Sequence, residues 1–116
     1  MTRHCCVRSE VWLVNFNPGR GNEQKGIRPA LIIQNDTGNE YASTTIIAAI
    51  TTTRKKYPVT VLLNRMEGGL KKESMVNLAQ ILTIDQTRLL KRLGSVSPET
   101  MSQVDYAIRI SLGLHL

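Results

Sequence analysis

A chain of 116 residues, 41% of them hydrophobic, is long enough to bury roughly two thirds of its unfolded surface in one domain. Its net charge of +6 favours a polyanionic partner, whether nucleic acid, acidic protein or acidic membrane surface, without choosing among them. Cys5 and Cys6 are adjacent and cannot staple the fold, no apolar run nears the roughly 20 residues that cross a bilayer, and no hydrophobic segment follows the N-terminal charges, so a soluble, cytoplasmic protein without membrane contact is expected.

Residues 1–9 read as a loosely ordered lead-in to a single domain spanning 1–116. From Val11 to Phe16 the side chains alternate between two differently lined faces, as in a strand, and Asn17, Pro18 and Gly19 end it. The polar loop from Arg20 to Ile27, with Gly21 and Gly26 near its ends, fits a bland surface loop and a functional one equally well. It runs into Arg28, whose backbone is held extended by Pro29, so that Arg28 is a cation on a fixed mount. Pro29–Gln34 (PALIIQ) and Thr44–Thr51 (TTIIAAIT) are apolar on both parities and predict strands buried on both faces, with a turn at Asn35–Asn39 between them. The second stops in the hydroxyl run Thr51–Thr53 and passes at once into Arg54, Lys55, Lys56 and Tyr57.

Val59–Leu63 predicts a further strand, Gly68 and Gly69 a turn, and Ser74–Ile84 a last long strand bent around Asn77–Gln80. Asp85 has the chemistry of an N-cap and Gly94 that of a C-terminal stop, so DQTRLLKRL predicts a short helix. Ser97, Pro98 and Glu99 open a second helix, in which Met101, Val104, Ile108 and Leu112 form an apolar stripe. About five short strands followed by two helices describe a mainly β domain, a strongly bent sheet or small barrel with helical appendages.

The residue inventory narrows the chemistry. Both histidines, His4 and His115, lie near the ends, which leaves a Ser or Cys nucleophile without a positioned base. The carboxylates show no DxD or HExxH spacing and the phosphate-cradling glycine motifs are absent, so no metal and no cofactor is expected. Arg, Thr and amides remain. That set suits RNA cleavage in which the substrate's own 2′-hydroxyl attacks the adjacent phosphate: an arginine fork matches two phosphate oxygens and a hydroxyl adds a third hydrogen bond. Arg28 and Thr51 serve if their two strands are antiparallel neighbours, which brings the start of one beside the end of the other. Arg54, Lys55 and Lys56 read either as a solvated loop or as holders of flanking phosphates, and Tyr57 either stacks on a base or packs against Pro58.

The run GNEQKGIRPALIIQND, with AAIT some way on and LAQILTID later, resembles the MazF/PemK family of toxin endoribonucleases from bacterial toxin-antitoxin pairs, over Glu10 to about Leu112. The resemblance implies an SH3-like small barrel of the CcdB/PemK type with a short helix and a C-terminal helix. It also implies a homodimer, metal-independent cleavage of single-stranded RNA, and inhibition by a cognate antitoxin with an acidic, flexible tail, DNA being met only through the toxin-antitoxin complex. By the same resemblance Arg28 and Thr51 are catalytic, Asn22, Glu23 and Gln24 with Lys25 form an RNA-contacting gate, and Gln80 contacts a base. Glu23 is open to two readings, general base or solvated carboxylate. Two positions depart from the pattern: Ser9 replaces a glycine, and Ala79 replaces an acid that could accept a hydrogen bond from a base. Two other readings remain: a non-catalytic toxin of the same fold that poisons a topoisomerase, and a basic module that only binds single-stranded nucleic acid.

Overall fold

The computed structural model describes residues 6–17, 25–52 and 58–115. Within them, strands β1 (Glu10–Asn15), β2 (Ile27–Ile32), β3 (Thr44–Thr51), β4 (Thr60–Leu63), β5 (Ser74–Asp85) and β6 (Leu89–Ser95) form one sheet in the order β4-β5-β3-β2-β1-β6, every neighbouring pair antiparallel. Helix α1 (Asp36–Tyr41) joins β2 to β3, and α2 (Pro98–Leu112) follows β6. β2 and β3 are interior strands, which is why both read as apolar on either parity.

Each face of the sheet carries its own core. Leu31, Ala48, Ile50, Val61, Leu63, Val76 and Leu78 pack with Met101, Val104 and Ala107 of α2 on one side. Val14, Phe16, Ala30, Ile32, Ile47 and Ile84 pack with Cys6 on the other. α2 starts as its sequence demands, with the Ser97 side chain accepting from Thr100 N and Pro98 in the first turn, and stops at Gly113 in the left-handed region. Its stripe is buried only in the first part: Met101 and Val104 are covered, Ile108 is half-buried and Leu112 is exposed.

β5 bends where the sequence predicted. Its register with β3 passes from Ala48↔Ile81 to Ala49↔Asn77, so residues 78–80 make an excursion that β3 does not match. The bend lets one strand serve both β3 and β4. The sheet is not closed by strand pairing, but its far end meets the turn after β4 through backbone contact. A Cβ on Gly94 of β6 would stand 2.7 Å from Gly68 C and 2.8 Å from Gly69 N, in the 3-10 turn Glu67–Gly69 between β4 and β5. The result is barrel-like, with the gap between β4 and β6 spanned by a glycine turn.

Three expectations are corrected. DQTRLLKRL is not a helix: Asp85 does cap, accepting from Thr87 N, but only the 3-10 turn Gln86–Arg88, after which β6 pairs with β1. The buried Gln86 pins that turn and Gly94 fits only where a strand carries it, so tertiary contacts override the local preference. The strand count accordingly rises to six among the described residues. Second, Asn35–Asn39 is the start of α1, capped by the Asn35 side chain accepting from Gly38 N at 2.7 Å. Third, the described part of the lead-in, residues 6–9, is anchored: Cys6 is buried, Ser9 N donates to Ile32 O, Arg8 Nε donates to Ile33 O, and Arg8 pairs with Asp105 of α2, while residues 1–5 lie outside the described residues.

Candidate active site

Pro29 decides the shape of this region. Along β2 and β3 the pairs are Ile32↔Ile47, Leu31↔Ala48 and Ala30↔Ala49, and Ile33 N donates to Ile46 O. Amides of odd-numbered β2 residues therefore face β3, and Pro29 is the next one along with no N–H to give. The ladder ends there. On its other side β2 stays paired with β1 through Leu13↔Pro29, Val14↔Arg28 and Asn15↔Ile27, so Arg28 keeps its backbone support after its neighbour β3 has been released.

The β2–β3 register carried two residues further aligns Arg28 with Thr51. Side chains alternate along a strand, which places Arg28 on the face of Ala30 and Ile32, and Thr51 on that of Ala49 and Ile47. Arg28 is exposed and Thr51 half-buried, so both stand at the rim of the second core. Arg28 Nε donates to Lys25 O at 3.0 Å, which leaves the two terminal nitrogens for a ligand. Arg28 has no carboxylate partner among the described residues.

Lys25 is exposed beside Arg28, and Gln80 is half-buried in the β5 excursion. Asn22, Glu23, Gln24, Arg54, Lys55, Lys56 and Tyr57 lie outside the described residues, although the described ends of their segments flank Arg28 and Thr51 in the chain. Among the described residues no three His, Cys, Asp or Glu side chains come together as a metal site.

One group near the site was invisible in the sequence. Arg88 Nη1 donates to the carbonyls of Asn15 at 3.0 Å and Asn17 at 2.7 Å. The Asn17 side chain accepts from Gly26 N at 3.0 Å, and Phe16 N donates to Gly26 O at 2.8 Å. Reading residues 85–93 as a helix put Arg88 on the wrong backbone; the run LTID ending in a cap was the only hint that a tight turn held it in place.

Residues 7–112 match the family model described as PemK-like, MazF-like toxin of type II toxin-antitoxin system. An endoribonuclease MazF of Staphylococcus saprophyticus is 46% identical over 110 residues, 93% of this chain and 92% of that protein. Among solved structures, a mycobacterial endoribonuclease in complex with its cognate antitoxin is 27% identical with a TM-score of 0.83, over 96% of this chain and 98% of the other. MazF of Deinococcus radiodurans, 23% identical over 97% of this chain and 100% of its own, shares the fold with a TM-score of 0.83. A family model matched over residues 7–112 and a 46% identical relative agree: the chain belongs to the PemK/MazF family of type II toxin-antitoxin toxins.

Proposed function

We propose that this protein is an endoribonuclease toxin that cuts single-stranded RNA without a metal. The match to a 46% identical endoribonuclease carries the reading, supported by Arg28 and Thr51 near the adjoining ends of β2 and β3, which the register extended two residues past Ala30↔Ala49 would align. The RNA's 2′-hydroxyl gives its proton to water as its oxygen bonds to the neighbouring phosphorus and the bond from phosphorus to the 5′-oxygen breaks, leaving a 2′,3′-cyclic phosphate and a 5′-hydroxyl. Arg28 stabilises the phosphorane by charge and paired hydrogen bonds, with Thr51 donating to the same group. A guanidinium does not readily give up a proton, so water protonates the leaving oxygen. Lys25 and Gln80, with Asn22, Glu23, Gln24, Arg54, Lys55, Lys56 and Tyr57, are assigned to the RNA flanking the cut. The working unit is a homodimer, and its regulator a cognate antitoxin with an acidic, flexible tail.

Incubating the purified protein with an RNA in excess EDTA tests this directly. Discrete fragments with cyclic-phosphate ends are expected; intact RNA would sink the reading and favour the topoisomerase poison of the same fold. A protein that binds single strands and never cuts them would show only affinity falling with salt, at a log-log slope of roughly 0.7 per phosphate contacted.

A further inference from the structure

We infer that Arg88 is a positioning residue for Arg28, acting through the main chain at the base of segment 18–24; the inference rests on the endoribonuclease reading. Arg28 Nε is bonded to the Lys25 carbonyl, so the direction of its fork follows wherever Lys25 is held. Lys25 adjoins Gly26, whose φ of +77° is a conformation that glycine adopts at little cost. Left to itself such a residue is a hinge. Three bonds fix it: Gly26 N to the Asn17 side chain, Phe16 N to Gly26 O, and the Val14↔Arg28 pairing on the next rung of β1.

Asn17 in turn lies past the end of β1, where its carbonyl has no strand partner in the ladder. The Arg88 guanidinium supplies one, and it ties the same nitrogen to Asn15 O. Such a charge-assisted bond is about twice as strong as a neutral one. The mount of Arg88 is itself rigid. Asp85 accepts from both Thr87 N and Thr87 Oγ1 at 2.9 and 2.8 Å, and Gln86 Nε2 reaches the carbonyls of Asn39, Ala42 and Thr44 at 3.0 to 3.1 Å. A continuous chain of bonds therefore runs from the capped turn at Asp85 through Arg88, Asn17, Gly26 and Lys25 to the guanidinium that faces the phosphate.

The test is steady-state cleavage of a single-stranded RNA containing a mapped cut site, with Arg88→Met, Arg88→Lys and Asn17→Ala made both in the native protein and in an Arg28→Lys background. A misplacement of about 1 Å costs on the order of 100-fold in rate. Arg88→Met is therefore expected to lower kcat about 10- to 100-fold with KM within threefold, and Arg88→Lys to recover part of the loss. In the Arg28→Lys background, where the Nε–Lys25 bond is already gone, Arg88→Met should change kcat by less than about twofold. The inference is overturned by a kcat within threefold of native for Arg88→Met, or by an equal loss in both backgrounds, which would mean that Arg88 acts independently of Arg28. Should Arg88→Met lose its cooperative unfolding transition, Asn17→Ala decides, since it removes only the link to Gly26: a lowered kcat upholds the inference and an unchanged one overturns it. Native protein that leaves the RNA whole overturns the endoribonuclease reading and this inference with it, whereas native cleavage with indifferent variants overturns the inference alone.

Discussion

Arg28 owes its opening to the residue that follows it. Pro29 withholds one amide from β3, and the pairing of the two strands stops at Ala30↔Ala49. Because Arg28 is exposed, Arg28→Ala should leave the unfolding transition almost unchanged while cleavage falls by about 100- to 1000-fold, the usual loss when one preorganised donor to a developing oxyanion is removed; activity within about fivefold of native would refute the assignment. Ser9 shows the opposite situation, a side chain where none is wanted. Its φ of +87° lies in the left-handed region, and its backbone is fixed there by bonds to Ile32 O and from Val96 N. Strain of this kind costs about 1 to 3 kcal/mol, part of which a glycine returns in unfolded-state entropy. Ser9→Gly is therefore expected to stabilise by about 1 kcal/mol and to raise Tm by a few degrees in a thermal melt; a lower Tm would contradict the strain argument. The places of Arg28 and Thr51 near strand ends can be counted from the sequence, whereas their catalytic roles come from the resemblance. Arg88 was not, because its partners are carbonyls 71 and 73 residues away, and no side-chain pattern reports a bond to backbone.

The elements divide in the same way. β2, β3 and the bent β5 were visible because burial on both faces, or a polar break inside an apolar run, leaves a mark in composition. The segment from Asp85 to Leu93 was misread because its local signals suit a helix, and what overrides them is distant: β1 offers an edge, and the Gln86 side chain is swallowed beneath α1. α1 was missed for the complementary reason. Its six residues, DTGNEY, have poor intrinsic helicity, and the helix exists because Asn35 caps it and its own Asn39 is bonded into the interior. Asn39 is 1% exposed; its Oδ1 accepts from Gln34 Nε2 at 3.0 Å and Thr45 Oγ1 at 2.7 Å, and its Nδ2 donates to Gln34 O at 3.1 Å. Asn39→Ala strands several of these buried groups at about 1 to 3 kcal/mol each, so urea denaturation should show a loss of at least about 2 kcal/mol. A loss below about 0.5 kcal/mol would mean that water replaces the network.

At the scale of the molecule, two cores back one sheet and the closure between its ends is a contact of glycines. The neighbours of a Gly94 Cβ would be main-chain atoms of Gly68 and Gly69, which cannot swing aside as a side chain does. Gly94→Ala is expected to destabilise by about 3 kcal/mol, the upper range for overpacking, and to expose apolar surface to a hydrophobic dye; an unaltered melting curve would show that the closure is looser than the spacing implies. α2 leaves Ile110 and Leu112, with Leu114 beyond it, exposed. Apolar groups in series on so small a domain are suited to burial against a second copy, so sedimentation at micromolar concentration should give a dimer, and a pure monomer would count against the proposed assembly. The general architecture was readable from alternation and turn residues; the sheet order and the glycine closure were not, because both depend on which distant backbones meet.

The clamp on Asn15 and Asn17 grips carbonyl oxygens, and every amino acid has one. The clamp is therefore indifferent to side-chain identity at both positions, and only the crossing bond from Gly26 N needs the Asn17 amide. Sequence change at Asn15 thus leaves the hold of Arg88 intact, while change at Asn17 costs the bond to Gly26 N alone.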